Sequence, residues 1–183
     1  SGARHGCNAT APAPRAGAGR VRPGGGILAR SQAEWEVRLS SPGVPRFDAV
    51  VIGGGASGTL VAAHLLGRDG PGCTVALVEP RPGVAEGAAY STRRPEHLLN
   101  VRAAGMSAFD DAPGDFVRFL GTLPAHAGDD PAALGLRFMP RMLYARYLAA
   151  VLEASPGHAR LHRVHGAAQD VVRAGDGFEV RLA

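Results

Sequence analysis

Phe47-Asp48-Ala49-Val50-Val51-Ile52-Gly53-Gly54-Gly55-Ala56-Ser57-Gly58 is the stretch on which the fold turns. Its first half is a short β-branched run, the pattern expected of a strand buried in a parallel sheet. Its second half contains G-x-G-x-x-G. A helical pattern follows at once, with Gly58, Ala62 and Leu65 at i, i+4 and i+7 on one face. After the turn residues Asp69-Gly70-Pro71-Gly72, a second apolar strand, Val75-Ala76-Leu77-Val78, closes on Glu79. Strand, glycine turn, helix and strand make one βαβ unit.

Each position in that unit has a mechanical reason. Gly53 permits the tight turn out of the strand, Gly55 lets a pyrophosphate approach the backbone, and Gly58 lets the helix pack close to the sheet. The N–H groups around Gly54, Ala56 and Ser57, at the positive end of the helix dipole, are placed to hold phosphates. Glu79 lies 26 residues beyond Gly53, at a strand tip where it accepts hydrogen bonds from a ribose diol. Its charge repels a 2′-phosphate, so FAD or NAD fits better than NADP. Arg81 is positioned to offset that repulsion, but an arginine just past a strand end is expected to be solvated. A G-x-G-x-x-G alone is weak evidence in a chain with 26 glycines, and a glycine-rich turn in another α/β fold is the bland alternative. Here it stands between strand and helix with an acid at the second strand tip, the context the fingerprint requires. A methyltransferase pattern is disfavoured, because Val50-Val51-Ile52 carries no acid. The expected fold class is therefore α/β, a Rossmann-like βαβ dinucleotide-binding domain with a parallel sheet.

Composition narrows the chemistry. All 20 basic residues of the 183-residue chain are arginine, which excludes a P-loop lysine, a Schiff-base lysine and a lysine general base. Cys7 and Cys73 are too few and too far apart for a zinc knuckle or a disulfide framework, and no C-x-x-C is present. The net charge of +4 is a property of one end. Residues 1–33 hold five arginines and no acid, whereas the rest holds 15 arginines against 16 acids. Residues 1–45, rich in Gly, Ala, Pro and Arg, read as a disordered tail with one possible short helix at 27–39. A targeting peptide is the alternative, but the tail has no apolar core for a secretory signal. No aromatic residues interleave its arginines, so nucleic-acid binding is not expected. No run approaches the length of a membrane span, and a cytoplasmic location is expected.

The residues from the glycine turn onward resemble a known family. Asp48-Ala49-Val50-Val51-Ile52 through Leu66, then Val75 to Pro80, looks like the FAD-binding fingerprint of two-domain flavoproteins. Gly87-Ala88-Ala89-Tyr90-Ser91-Thr92, His97-Leu98-Leu99-Asn100-Val101 and Met106-Ser107-Ala108-Phe109 are similar to the FAD-NAD(P)-binding proteins. So is Phe138-Met139-Pro140-Arg141 with Tyr144, Tyr147 and Leu148. Arg102 stands where that family commonly has proline, and Ala145 replaces a common glycine. The resemblance implies that residues 96–109 approach the ribityl chain and flavin ring, with Asn100 as the polar candidate for a cofactor hydrogen bond. Turn capping is the alternative role for Asn100. Arg141 and Tyr144 share a helix face, and Arg141 reads as a structural partner.

His97, His158, His162 and His165 invite a metal reading, but His162 and His165 fall on opposite faces of a predicted strand and no acid has ligand spacing with them. No metal is expected. The chain also lacks the cysteine pair that flavin disulfide reductases carry after the first βαβ unit. At the end, a strand over 159–164 is followed by runs over 168–173 and 178–182 about a turn at Ala174-Gly175-Asp176-Gly177, whose Asp-Gly is a hairpin signal. In two-domain flavoproteins such a hairpin precedes the last strand of the FAD domain, so residues 46–183 are expected to form an incomplete domain. The functional expectation is the FAD-binding part of an FAD/NAD(P)-dependent oxidoreductase acting on a small molecule, a monooxygenase being one such activity, with NAD(P)H as electron donor. The alternative is a dinucleotide-binding module without turnover. No catalytic residue is assigned.

Overall fold

The computed structural model describes residues 44–67 and 72–183. The readings of a tail, of a helix at 27–39 and of the turn at 69–71 lie outside these residues. A parallel sheet in the order β1 (Ala49–Ile52), β2 (Val75–Glu79), β3 (Leu161–His165) organises the rest. Its register pairs Val51 with Leu77, and Leu77 with Arg163. The apolar run of β2 before Glu79 suits this central place: all five residues are buried. Asp48 ties the entrance of β1 to that of β2, its carboxylate accepting the Thr74 N–H and hydroxyl, both at 2.7 Å.

β1 departs from the expected buried strand. It has β2 on one side only, and Val50 and Ile52 remain 39% and 49% exposed. It is a parallel strand at the edge of the described sheet.

Helix α1 (Ala56–Leu66) covers one face of the sheet. It buries Thr59, Ala62, Ala63 and Leu66. That stripe is turned from the Gly58, Ala62, Leu65 face read from the sequence, because Gly58 spends its missing side chain on the turn beneath the helix. Ala62, Ala63 and Leu66 meet Val75, Leu77 and Leu152 in one core cluster.

Between β2 and β3 the chain runs through α2 (Gly87–Tyr90), a 3₁₀ turn (Ala103–Gly105), α3 (Asp115–Gly121), α4 (Pro131–Gly135) and α5 (Arg141–Glu153). α4 has a clear sequence cause: Asp130 caps it, Oδ2 accepting the Ala133 N–H at 2.9 Å, with proline in the first helical position. α5 consists mostly of good helix formers after Pro140. It buries Tyr144, Tyr147, Leu148 and Leu152. Its aromatic residues anchor a second core with Phe116, Leu120, Leu134 and Met139. The Tyr144 and Phe116 rings meet edge to face at 5.3 Å, and Tyr147 packs on Phe116 at 5.1 Å. The buried Tyr147 hydroxyl donates to Asp115 Oδ2 and accepts the Ala108 N–H, both at 2.8 Å. It thereby ties the 106–109 loop to α3 and α5.

After β3, strands β4 (Ala168–Ala174) and β5 (Gly177–Leu182) form the antiparallel hairpin expected from the sequence. The turn is the expected Ala174-Gly175-Asp176-Gly177. Ala174 pairs with Gly177, and Gly175 takes φ +62°.

Candidate functional site

The site is built where β1 ends and α1 begins. Gly53 takes φ +94°, a conformation open to glycine, while its N–H still bonds Val78 O at 2.8 Å. Gly54 is fixed on both sides. Its N–H donates to Glu79 Oε2 at 2.7 Å, and its carbonyl accepts the Ala85 N–H at 2.6 Å and the Thr59 hydroxyl at 3.2 Å. A Cβ on Gly58 would collide with the Gly53 carbonyl oxygen, so glycine is what allows α1 to start this close to the turn.

Gly55 is the N-cap of α1, no side chain caps the helix, and its first turn holds no acid. The first bond across this end of the helix runs from the Thr59 N–H to Gly55 O. The N–H groups of Gly55, Ala56, Ser57 and Gly58 therefore have no partner among the described residues. With the helix dipole behind them, these groups make a cradle of free donors, an arrangement able to accept an anion. The predicted residues are thus brought together but divided in role. Gly53 and Gly54 shape the turn with N–H groups already committed, and Gly55, Ala56, Ser57 and Gly58 present free donors.

Glu79 stands at the tip of β2 as expected, 2% exposed. Arg81 was expected in solvent, and here the structure differs. Its backbone N–H and its Nε both donate to Glu79 Oε1, at 3.0 and 2.8 Å. Burial pushes the Glu79 carboxyl up, but the bonds from Arg81 and from the Gly54 N–H outweigh it and leave the group below its ordinary value. Glu79 is thus ionised, and the two-residue spacing lets the arginine fold back onto it.

A strap missed in the sequence borders the cradle. Ala85 is fully buried at φ +66° and holds Gly54 through its N–H. Gly87, at φ +49°, backs onto Gly55: a Cβ on Gly87 would stand 3.2 Å from Gly55 Cα, a tight contact, and one on Gly55 would stand 3.4 Å from Gly87 Cα. The two glycines and the alanine of Gly83-Val84-Ala85-Glu86-Gly87 are the available signal. Gly55 thus allows this close approach of chain on chain as well as leaving the turn open.

Asn100 sits in an exposed bend, and its amide makes no hydrogen bond among the described residues. The bend is held firmly on both sides: Leu99 N–H bonds Met139 O at 2.8 Å, and Ala103 N–H bonds Arg137 O at 2.9 Å. Arg141 is the structural partner expected of it, donating from Nε to Leu98 O at 3.0 Å. Arg102 adopts φ −65°, the value a proline ring enforces, so the backbone there keeps the path of the family's proline. The His97 ring pairs with the Thr92 hydroxyl at 2.8 Å, and the His162 ring packs on Phe47. No group of three or more His, Cys, Asp or Glu with metal-holding geometry occurs among the described residues. No helix among them is long and apolar enough to cross a membrane. A cavity of about 440 Å³ lined by His64, Phe109 and Asp115 opens along α1 toward its C-terminal half, away from the glycine turn.

The profile of the FAD-NAD(P)-binding family matches residues 50–183. The chain belongs to that family. Its match begins inside β1 and takes in the glycine turn, Glu79, the 97–103 bend and α5, so the residues described above lie within the family's own span. Among curated proteins none matches. Among solved structures, the crystal structure of Thermovibrio ammonificans THI4 is similar, with 19% identity and a TM-score of 0.46 over 73% of this chain and 45% of that one. The chain thus spans under half the length of that protein.

Proposed function

We propose that this chain is the FAD-binding part of an FAD/NAD(P)-dependent oxidoreductase. The observation that carries the reading is the row of four unpartnered N–H groups, Gly55 to Gly58, at the positive end of α1, beside the buried carboxylate of Glu79. These groups match two neighbouring parts of the ADP half of an adenine dinucleotide: donors for its pyrophosphate and an acceptor for its adenosine ribose. Gly53 and Gly54 fix the turn, so the donors are in place before any ligand arrives. Asn100, exposed and unengaged, supplies an amide toward the flavin end. The bound flavin would supply electron transfer from NAD(P)H. The protein's part is binding, orientation and exclusion of water by the Gly83–Gly87 strap.

The test is reconstitution with FAD followed by anaerobic NADH or NADPH. The reading expects a protein-bound flavin band that bleaches on addition of the nicotinamide and is weaker in Glu79→Ala. A bound flavin that neither nicotinamide reduces would assign the chain to binding without turnover. A folded chain that takes up no FAD would overturn the flavoprotein reading.

A further inference from the structure

We propose that the outward face of the 97–103 bend binds a small apolar carboxylic acid through Arg102, and that this acid is the substrate class of the oxidoreductase; the second half rests on the FAD reading above. The bend runs antiparallel to residues 137–141. Leu98 bridges to Pro140, the Leu99 N–H donates to Met139 O at 2.8 Å, and the Arg141 N–H donates to His97 O at 2.9 Å. Alternation along such a ribbon sends Leu99 and Met139 into the core and turns Leu98, Asn100 and Phe138 outward. Leu98 and Phe138 are 45% and 47% exposed, and Val101, next along the bend, is exposed too. Large apolar side chains exposed together, rather than singly, mark a place that binds something.

Arg102 gives that face its charge. Its guanidinium carbon lies over the Phe138 ring, 6.0 Å from the centroid, and its side-chain N–H groups make no hydrogen bond or ion pair among the described residues. A guanidinium lying over a ring keeps its donors at the rim, as a fork that fits the two oxygens of a carboxylate. The other arginines of the ribbon are engaged, Arg137 by Asp129 at 3.0 Å and Arg141 by Leu98 O at 3.0 Å. Glu96, the nearest acid in sequence, precedes His97 at the opposite end of the ribbon. One free positive charge on an apolar face suits a monoanion with an apolar body better than a phosphate dianion or a sugar. Arg102 also stands where the family commonly has proline, so the guanidinium is this chain's own addition. Its φ is −65°, and its backbone N–H bonds nothing among the described residues, so proline fits there without loss. Asn100, on the same face, is the amide turned toward the flavin end, which makes an acid held by Arg102 a candidate for the flavin's chemistry.

The experiment titrates phenylacetate, its neutral amide phenylacetamide and inorganic phosphate into the full chain, with and without FAD, by calorimetry, with circular dichroism as the folding control. Phenylacetate should bind the wild type at least tenfold tighter than either of the others. In Arg102→Pro its affinity should fall at least tenfold, the loss expected for one charge-assisted hydrogen bond, while that of phenylacetamide stays unchanged; a merely structural defect would weaken both. Arg102→Lys, which keeps the charge but not the fork, should fall between. With FAD loaded, phenylacetate should shift the flavin absorption band in the wild type and not in Arg102→Pro. Phenylacetate bound no tighter than its amide, bound equally by Arg102→Pro, or outcompeted by phosphate would overturn the carboxylate site and leave the FAD reading standing. Binding through Arg102 that leaves the flavin band unmoved would overturn the assignment as substrate. A folded chain that takes up no FAD would overturn the FAD reading and the substrate assignment together, while the comparison of Arg102 variants without FAD still decides the carboxylate site.

Discussion

Replacing Gly58 with alanine adds one methyl group where none fits. The new Cβ would collide with the Gly53 carbonyl oxygen and stand 3.1 Å from the Gly53 carbonyl carbon and 3.3 Å from Val51 Cγ1. Gly53 cannot retreat, because its N–H is bonded to Val78 at the end of the β1–β2 ladder. The first turn of α1 must therefore lift, and with it Thr59, whose hydroxyl bonds Gly54 O. Forcing a methyl group into a packed site costs about 1–3 kcal/mol. Alanine returns up to about 1 kcal/mol through its better helix propensity. The net loss is about 1–2 kcal/mol, roughly a tenfold shift in the folding equilibrium, and FAD affinity should fall with it because the displaced turn carries the free N–H groups. Gly121→Ala is the internal control. Gly121 ends α3 with nothing within 4 Å of an added Cβ, so that variant should be neutral or stabilised by up to about 1 kcal/mol. Urea unfolding of both variants, followed by FAD titration, reads the difference. Gly58→Ala with wild-type midpoint and affinity would refute the reasoning.

Three further outcomes follow from named bonds. Tyr147→Phe should cost about 1–3 kcal/mol in urea unfolding, since it takes the hydroxyl donor from Asp115 Oδ2, leaving that carboxylate only its bond from Arg118 at Oδ1, and strips the Ala108 N–H of its acceptor. Burial, with the nearby Asp115, pushes the Tyr147 phenol up to about 12 from an ordinary 10, so its stabilising effect is complete below about pH 10 and is lost as pH rises toward 12; Tyr147→Phe should lack that alkaline loss. Glu79→Gln should weaken FAD binding at neutral pH and destabilise the fold there. Because the Glu79 carboxyl lies below its ordinary 4.5, the stability gap to wild type should close as pH falls through and below that value, which acid titration of both proteins checks. Asp130→Ala removes the α4 cap and should cost about 0.5–2 kcal/mol in the same assay, while FAD binding is unchanged.

The βαβ core was legible because its signals are local. A β-branched run, three glycines at fixed offsets and an acid at a strand tip need no knowledge of distant chain, and β1, α1, β2 and the β4–β5 hairpin stand where those signals put them. What escaped depends on partners far along the chain. Whether Val50 and Ile52 are covered depends on which strands flank β1, which its own residues do not encode. The buried stripe of α1, Thr59, Ala62, Ala63 and Leu66, lies about one position from the Gly58, Ala62, Leu65 face, because Gly58 meets the turn beneath the helix. α3 is seven residues long and α4 five, too short for a helical period to show, and both are held by packing around Phe116 and Tyr147. Arg81 pairs with Glu79, where the sequence leads one to expect a solvated side chain, for another reason. Its return onto Glu79 follows from the burial of that carboxylate beneath the glycine turn, which needs a donor more than a solvent-exposed acid would. The strand-tip spacing that singles out Glu79 is therefore silent about the arginine that folds back onto it.

The account stands or falls on the four N–H groups at the start of α1. Backbone amide NMR of the 18.8 kDa chain during FAD titration observes them one by one. The account predicts that Gly55, Ala56, Ser57 and Gly58 show the largest shifts and the greatest slowing of hydrogen exchange, with Glu79 and Arg81 next. FAD binding that leaves these four amides unmoved, or that shifts residues elsewhere instead, would contradict it.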